Sequence, residues 1–219
     1  MAIGYNPLIN TDGLIMYIDA ANTRSYSGSG NTANGLISAI GGTLVNSVTF
    51  SSSNAGSFVF NGSNNYINFG NSATVQQSSG TLSAWVKSSS PGGSFRGIIA
   101  KQGAYGLFFA DSILVTYDWG AAATRSTGLN IADGNWKNVV MTYQLGVTNG
   151  TKIYLNGSSV LTTTISLLSQ SMGNLFGGAE ANASQFAACS AASFNMYNRV
   201  LTAQEVLQNY TAAKSRYGL

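Results

Sequence analysis

Along most of the chain, apolar and polar positions alternate with a period of two. Leu14-Ile15-Met16-Tyr17-Ile18, Ser57-Phe58-Val59-Phe60, Tyr66-Ile67-Asn68-Phe69 and Leu82-Ser83-Ala84-Trp85-Val86 are short runs rich in β-branched and aromatic residues. Residues 97–100, 105–109, 113–117, 139–143, 152–155 and 160–165 continue the pattern. Gly, Asn, Ser and Asp clusters bound each run, which predicts strands joined by tight turns. Asn156-Gly157, between Ile153-Tyr154-Leu155 and Val160-Leu161, is the sharpest turn signal. Asn-Gly supplies the positive φ angles that a type I′ hairpin requires. Asn61-Gly62 and Asp111-Ser112 punctuate neighbouring strands in a similar way. Pro7 and Pro91 fall outside the runs, so no ladder is interrupted.

One segment changes period. Thr202-Ala203-Gln204-Glu205 has the pattern of a capping box, and Val206, Leu207, Tyr210 and Ala213 then recur at helical spacing. Lys214 and Arg216 follow where cations complement the helix dipole, and Gly218 is a terminator. Many short strands, glycine-rich turns and one late helix predict an all-β fold. Its architecture is a two-sheet antiparallel sandwich with one short C-terminal helix. Phe58, Phe60, Trp85, Phe108 and Tyr143 are the expected core, each contributing about 1.5–3 kcal/mol on burial. Residues 1–10 read as an N-terminal arm and 11–219 as one domain. Long loops lie at 22–34 and 88–94, with no internal repeat.

Composition narrows the function. Only 8% of the 219 residues carry charge, whereas 29 Ser, 18 Thr and 22 Asn make up nearly a third of the chain. Disorder needs low hydrophobicity and high charge, and 44% of this chain is hydrophobic. The net charge of +3 comes from ten scattered Lys and Arg with no run, which argues against a nucleic-acid binder. With no His and one Cys, neither an intrachain disulfide, a Ser-His-Asp triad nor a thiolate–imidazole zinc site can form. No apolar run is long enough for a membrane-spanning helix, and residues 1–12 lack the regions of a secretory signal. Asn-x-Ser/Thr triplets at Asn61, Asn149, Asn156, Asn182 and Asn209 are read as turn and surface residues.

Four segments then resemble a known family. They are Asn61-Gly62-Ser63-Asn64-Asn65-Tyr66-Ile67-Asn68-Phe69-Gly70, Thr81-Leu82-Ser83-Ala84-Trp85-Val86-Lys87, the pair Asn135-Trp136-Lys137-Asn138-Val139-Val140-Met141-Thr142-Tyr143 with Lys152-Ile153-Tyr154-Leu155-Asn156-Gly157, and Tyr197-Asn198-Arg199-Val200-Leu201-Thr202 running into Glu205-Val206. Together they are similar to the laminin-G-like, concanavalin A-like lectin/glucanase superfamily, which implies a jelly roll. The opening, Asp12-Gly13-Leu14 to Asn22 with Ser25-Tyr26-Ser27-Gly28-Ser29-Gly30, resembles the version found in tailed-bacteriophage structural proteins. That resemblance implies a non-enzymatic virion surface protein, made in the host cytoplasm without a signal peptide. It would be a capsid decoration or cement protein or a head or tail appendage subunit, homo-oligomeric and bound to other virion proteins. The alternative is a carbohydrate-binding adhesin module for host attachment, with cell-surface glycans as partners.

The resemblance also frames the candidate residues. Glucanase relatives carry Glu-x-Asp-x-(x)-Glu along one strand, but this chain has two Glu in all: Glu205 in the capping box and Glu180 alone. A carboxyl pair for hydrolysis is therefore not expected. Tyr117, Asp118 and Trp119, ahead of Gly120, form the leading glycan or partner contact, with Tyr26 and Tyr105 behind them. Trp85 and Trp136 are assigned to the core, and Trp119 fits either an interaction surface or the core. Calcium takes about six to eight oxygen ligands. Asp19 and Asn22, or Asp111 and Asp118, could contribute some, but their plainer reading is a strand end, a turn and a surface residue; no cofactor is expected. Cys189, among small residues, is expected to be buried and inert, and Arg96, Lys101, Arg125 and Lys137 to be isolated and solvated.

Overall fold

Each alternating run becomes a strand with one face turned inward, because successive side chains of a strand point to opposite sides. The computed structural model describes residues 8–38, 40–180 and 184–219, so Pro7, Asn182 and the first seven residues of the arm lie outside it. The strands pair antiparallel throughout and form two sheets of eight. In the first, the order is β14 (Ser158–Thr163), β13 (Thr151–Leu155), β12 (Lys137–Gln144), β7 (Ser79–Lys87), β16 (Ala188–Tyr197), β5 (Ser57–Asn61) and β4 (Thr49–Ser51). β1 (Leu14–Asp19) pairs with Ser193–Tyr197 of β16, beyond the stretch that pairs with β5. The second sheet runs β11 (Ala123–Asn130), β10 (Ile113–Asp118), β9 (Tyr105–Ala110), β8 (Arg96–Lys101), β15 (Leu175–Gly177), β6 (Tyr66–Gly70), β3 (Gly42–Val45) and β2 (Thr32–Ala33). This is the expected jelly-roll sandwich.

The turns follow their chemistry. Asn156 (φ 51°) and Gly157 (φ 80°) close the β13–β14 hairpin as a type I′ turn requires. Asp111-Ser112 joins β9 to β10 in a hairpin. Asn61-Gly62 does something different, because β5 and β6 belong to different sheets. The Asn61 Oδ1 accepts from the backbone N–H groups of Ser63 (2.8 Å) and Asn64 (3.1 Å) and so shapes a crossing between sheets.

The aromatic residues expected in one core are all buried, but in three places. Phe58, Phe60 and Tyr143 lie between the sheets, where Tyr143 stacks on Tyr105 and Phe194 meets Phe60 and Phe69 edge-on. Trp85 and Trp136 lie instead on the outer face of the first sheet, against Tyr217. Phe108 lies on the outer face of the second sheet.

The helix α1 (Ala203–Ala213) begins with the predicted box: the Glu205 N–H donates to Thr202 Oγ1 (3.2 Å), and the Thr202 N–H donates to Glu205 Oε2 (2.8 Å). Glu205 also accepts two bonds from Arg199 and one from Asn10 Nδ2, which ties residues 8–10 to the helix. Those hydrogen bonds, led by Arg199, hold its carboxyl down at about 2. Val206 packs with Leu14, Val140, Tyr154, Tyr197 and Leu201. Lys214 and Arg216 fall in a 3-10 turn beyond α1, and Gly218 ends it in the left-handed region. The outer face of the first sheet is thus covered. Among the described residues, no helix covers the second, and no helix is long and apolar enough to cross a membrane.

Candidate functional site

The open face of the second sheet carries its own apolar cluster. Along β10 the pleat turns Leu114 into the main core and Thr116 toward Met141, while Ile113, Val115 and Tyr117 face out, followed by Trp119. Ala100 of β8 and Phe108 of β9 join them, buried beneath Phe95, Tyr117 and Trp119. Phe95 stacks on Phe108 with ring centroids 4.5 Å apart. Phe95 and Tyr117 meet at 74° and 5.7 Å, Tyr117 and Trp119 at 79° and 5.4 Å.

A second wall comes from the segment after β15. The Gly178 N–H donates to Ile98 O and the Gly97 N–H to Gln185 O, while Glu180 and Ser184 exchange two backbone bonds of 2.9 Å. This approach depends on Gly97, where a Cβ atom would stand 2.2 Å from the Ala179 carbonyl oxygen. Between the walls lies a cleft of about 540 Å³, lined by Phe95, Gln102, Tyr117, Trp119, Glu180, Ser184 and Gln185. That is the size range of small-molecule sites.

The electrostatics of the cleft are lopsided. Glu180 is buried, and among the described residues no donor or cation reaches its carboxyl group; desolvation pushes it up to about 7. Among the described residues, the Gln185 Oε1 is buried without a donor.

The structure separates the predicted triplet. Tyr117 and Trp119 line the cleft, but Asp118 is only 2% exposed and points the other way. Its Oδ1 accepts from the N–H groups of Ala121 (3.2 Å) and Ser166 (3.1 Å), and its Oδ2 pairs with Arg125 at 3.0 Å. Burial works against the charged form, but the bonds from Ser166, Arg125 and Ala121 outweigh it and hold the carboxyl below its usual range. Asp118 is therefore not a contact residue: it pins the turn that carries Trp119.

Other sequence candidates are engaged elsewhere. Asp19 Oδ1 pairs with Arg216 (2.8 Å) and accepts from the Ala21 N–H, and Asn22 Oδ1 accepts from the Arg24 N–H. A carboxylate neutralised by guanidinium beside a turn-capping amide is a structural clasp, so Asp19 and Asn22 form no cation cradle. Asp111 and Asp118 stand beyond and at opposite ends of β10. Tyr26 is buried against Phe50 and Phe58, and fully buried Tyr105 donates its hydroxyl to Val75 O. Cys189 sits inside the sandwich, and burial pushes its thiol up to about 12.

The basic residues differ from expectation. Lys101 is fully buried and donates to Asn71 Oδ1, Gly173 O (2.6 Å) and Met172 O (3.3 Å). Arg125 is taken by Asp118, Lys137 by Asp133, and Arg96 folds back on Gly92 O. Phe95, Gln102 and Gln185 carried no signal in the sequence. Glu180 did, as an acidic residue that no local motif used.

The model of the concanavalin A-like lectin/glucanases superfamily matches residues 61–207, a stretch that includes every residue lining the cleft. No curated protein matches the chain. Among solved structures, it is similar to the Trypanosoma rangeli sialidase in complex with sialic acid, at a TM-score of 0.70 and 14% identity, over 95% of this chain and 34% of that one. It is also similar to the binding domain of Paraclostridial Mosquitocidal Protein 1, at a TM-score of 0.66 and 14% identity, over 90% of this chain and 52% of that one. The receptor binding domain of botulinum neurotoxin type G aligns at a TM-score of 0.62 and 16% identity, over 91% of this chain and 51% of that one. At such identities the likeness is one of fold, and the chain spans a third to a half of these proteins.

Proposed function

The chain belongs to the concanavalin A-like lectin/glucanases superfamily, and from that membership we propose that it is a carbohydrate-recognition domain binding at the cleft of Phe95, Tyr117, Trp119 and Glu180. The observation that carries this reading is an aromatic shelf beside unsatisfied polar groups, on the sheet face that no helix covers. Sugar rings present apolar C–H faces to aromatic side chains and hydroxyl groups to acceptors such as Glu180 and Gln185. The similar solved structures include a binding domain and a receptor binding domain, which supports a binding role.

Recognition without hydrolysis fits the carboxylates. Most glycosidase families, sialidases with their Tyr nucleophile excepted, flank the scissile bond with two carboxyl groups about 5–9.5 Å apart. Here Glu180 is the one carboxyl group lining the cleft among the described residues, and Asp118 is turned away onto Arg125. A glycan array probed with the purified protein tests the proposal, with Trp119→Ala as comparison. The expected result is reproducible binding that falls at least tenfold in the variant, with an unchanged circular dichroism spectrum and no sugar released. A blank array, or equal binding by the variant, rejects this site.

A second reading, a virion-surface building block, is favoured by the opening motif from Asp12 and by the low charge of the chain. It predicts that purified protein rebinds particles stripped of it, and that the Trp119→Ala variant does so equally well.

A further inference from the structure

We infer that the ligand of this cleft presents an ammonium group, carried on an amino sugar or a quaternary amine, seated against Phe95, Tyr117 and Trp119 with its charge beside Glu180. The inference deepens the recognition reading of the same cleft and rests on it.

Three observations converge. First, the lining is three aromatic rings, one carboxyl group, two amides and a serine, with no lysine or arginine. The nearest arginines in sequence are spoken for, Arg125 by Asp118 and Arg96 by Gly92 O. Glu180 is thus a desolvated acid without a counter-ion among the described residues. Burying an unpaired carboxylate is costly, and a cation from the ligand offsets that cost as well as adding attraction.

Second, neighbouring rings are set steeply, at 74° and 79°, with centroids 5.7 and 5.4 Å apart. They offer π surface in more than one direction, the kind of surface a cation approaches to within roughly 6 Å of a ring centroid. A single flat sugar face uses one platform; a compact, roughly spherical ammonium uses several faces at once. Third, Gln185 Oε1 is a further buried acceptor with no donor among the described residues. The cleft therefore asks for a cation, and an amino sugar also brings the N–H that Gln185 Oε1 can accept, which a quaternary amine lacks. An anionic ligand would meet Glu180 with no lining cation to receive it.

Three probes at pH 7, where the sugar amine still holds protons, test this by calorimetry and by Trp fluorescence: a glucosamine tetramer, its fully N-acetylated counterpart, and tetramethylammonium chloride against sodium chloride at equal ionic strength. We expect the free-amine tetramer to bind at least tenfold tighter than the acetylated one, and tetramethylammonium to compete with it where sodium does not. In Glu180→Gln, an isosteric change whose folding is checked by thermal melting, the difference between the tetramers should shrink to within twofold. Equal affinity of the two tetramers for the unaltered protein overturns the ammonium inference and leaves carbohydrate recognition standing. Binding of tetramethylammonium alone, lost in both Trp119→Ala and Glu180→Gln, upholds the ammonium site and counts against the saccharide. Silence of all three probes overturns the inference, while the array decides recognition separately.

Discussion

Asp118 lies between two cleft aromatics in sequence, yet both its oxygens are taken by Ala121, Ser166 and Arg125 on the opposite side of the strand. It acts on the site by positioning, since those bonds hold the turn from which Trp119 projects. Replacing it with asparagine removes the ion pair and leaves Arg125, whose Nε is already buried without an acceptor, short of a partner. For Asp118→Asn we expect a loss of about 1.5–3 kcal/mol in urea unfolding, the range for hydrogen bonds to charged groups. Trp119 emission should also shift to the red as its turn loosens. An unchanged unfolding midpoint would show that the neutral amide replaces the carboxylate fully. At this scale the sequence revealed residue types but not directions: Tyr117 and Trp119 stood out as neighbouring aromatic residues, and both line the cleft, whereas Asp118 required the pleat to be known.

The strand β8 and the segment beside it show how an element shapes the cleft. Glu180 faces the aromatic rings because Ala179 lies against Gly97 with no side chain between them. Gly97→Ala places a methyl group against backbone atoms, which cannot yield as a flexible side chain can. The expected outcome is displacement of residues 178–180. Hydrogen exchange should report it as lost amide protection at Gly97 and Glu180 while β12 to β14 keep theirs, and ligand affinity should fall at least tenfold. Retained protection would mean that the strand and segment shift together. Strands that alternate, such as β1, or form apolar runs bounded by turn residues, such as β9, β10 and β12, were readable from the sequence. β16 was legible only as small residues around Cys189 that suit a buried strand or close packing, because it lies between β7 and its two other partners and no apolar–polar period marks its first half. The edge strand β11 (ATRSTGLN) is polar and largely exposed, and β2, β3, β4 and β15 are too short to display a period.

For the molecule as a whole, the buried Lys101 makes stability depend on alkaline pH. Desolvation lowers it to about 8, against about 10.4 for an unperturbed lysine. Between those values the unfolded chain keeps a proton that the native state has released, so stability rises with pH. Glu180 has already titrated by then; from about pH 8.5 the Cys189 thiol opposes the trend, and above about pH 10 the buried tyrosines add to it, because the unfolded state ionises these groups first. Urea midpoints should therefore increase from pH 7.5 to 8.5, and the increase should vanish in Lys101→Met whatever that variant's absolute stability. A slope that persists in the variant would place the titrating group elsewhere. The sequence alone determined the all-β class, the type I′ hairpin, the capped C-terminal helix and the family, because each is written in local periods and short motifs that operate over a few residues. Which face of each sheet the helix covers, which way Asp118 points, and the meeting of Phe95, Trp119 and Glu180 were decided only by tertiary structure. Those arrangements depend on strand order and on close approach between segments distant along the chain, which no local pattern encodes.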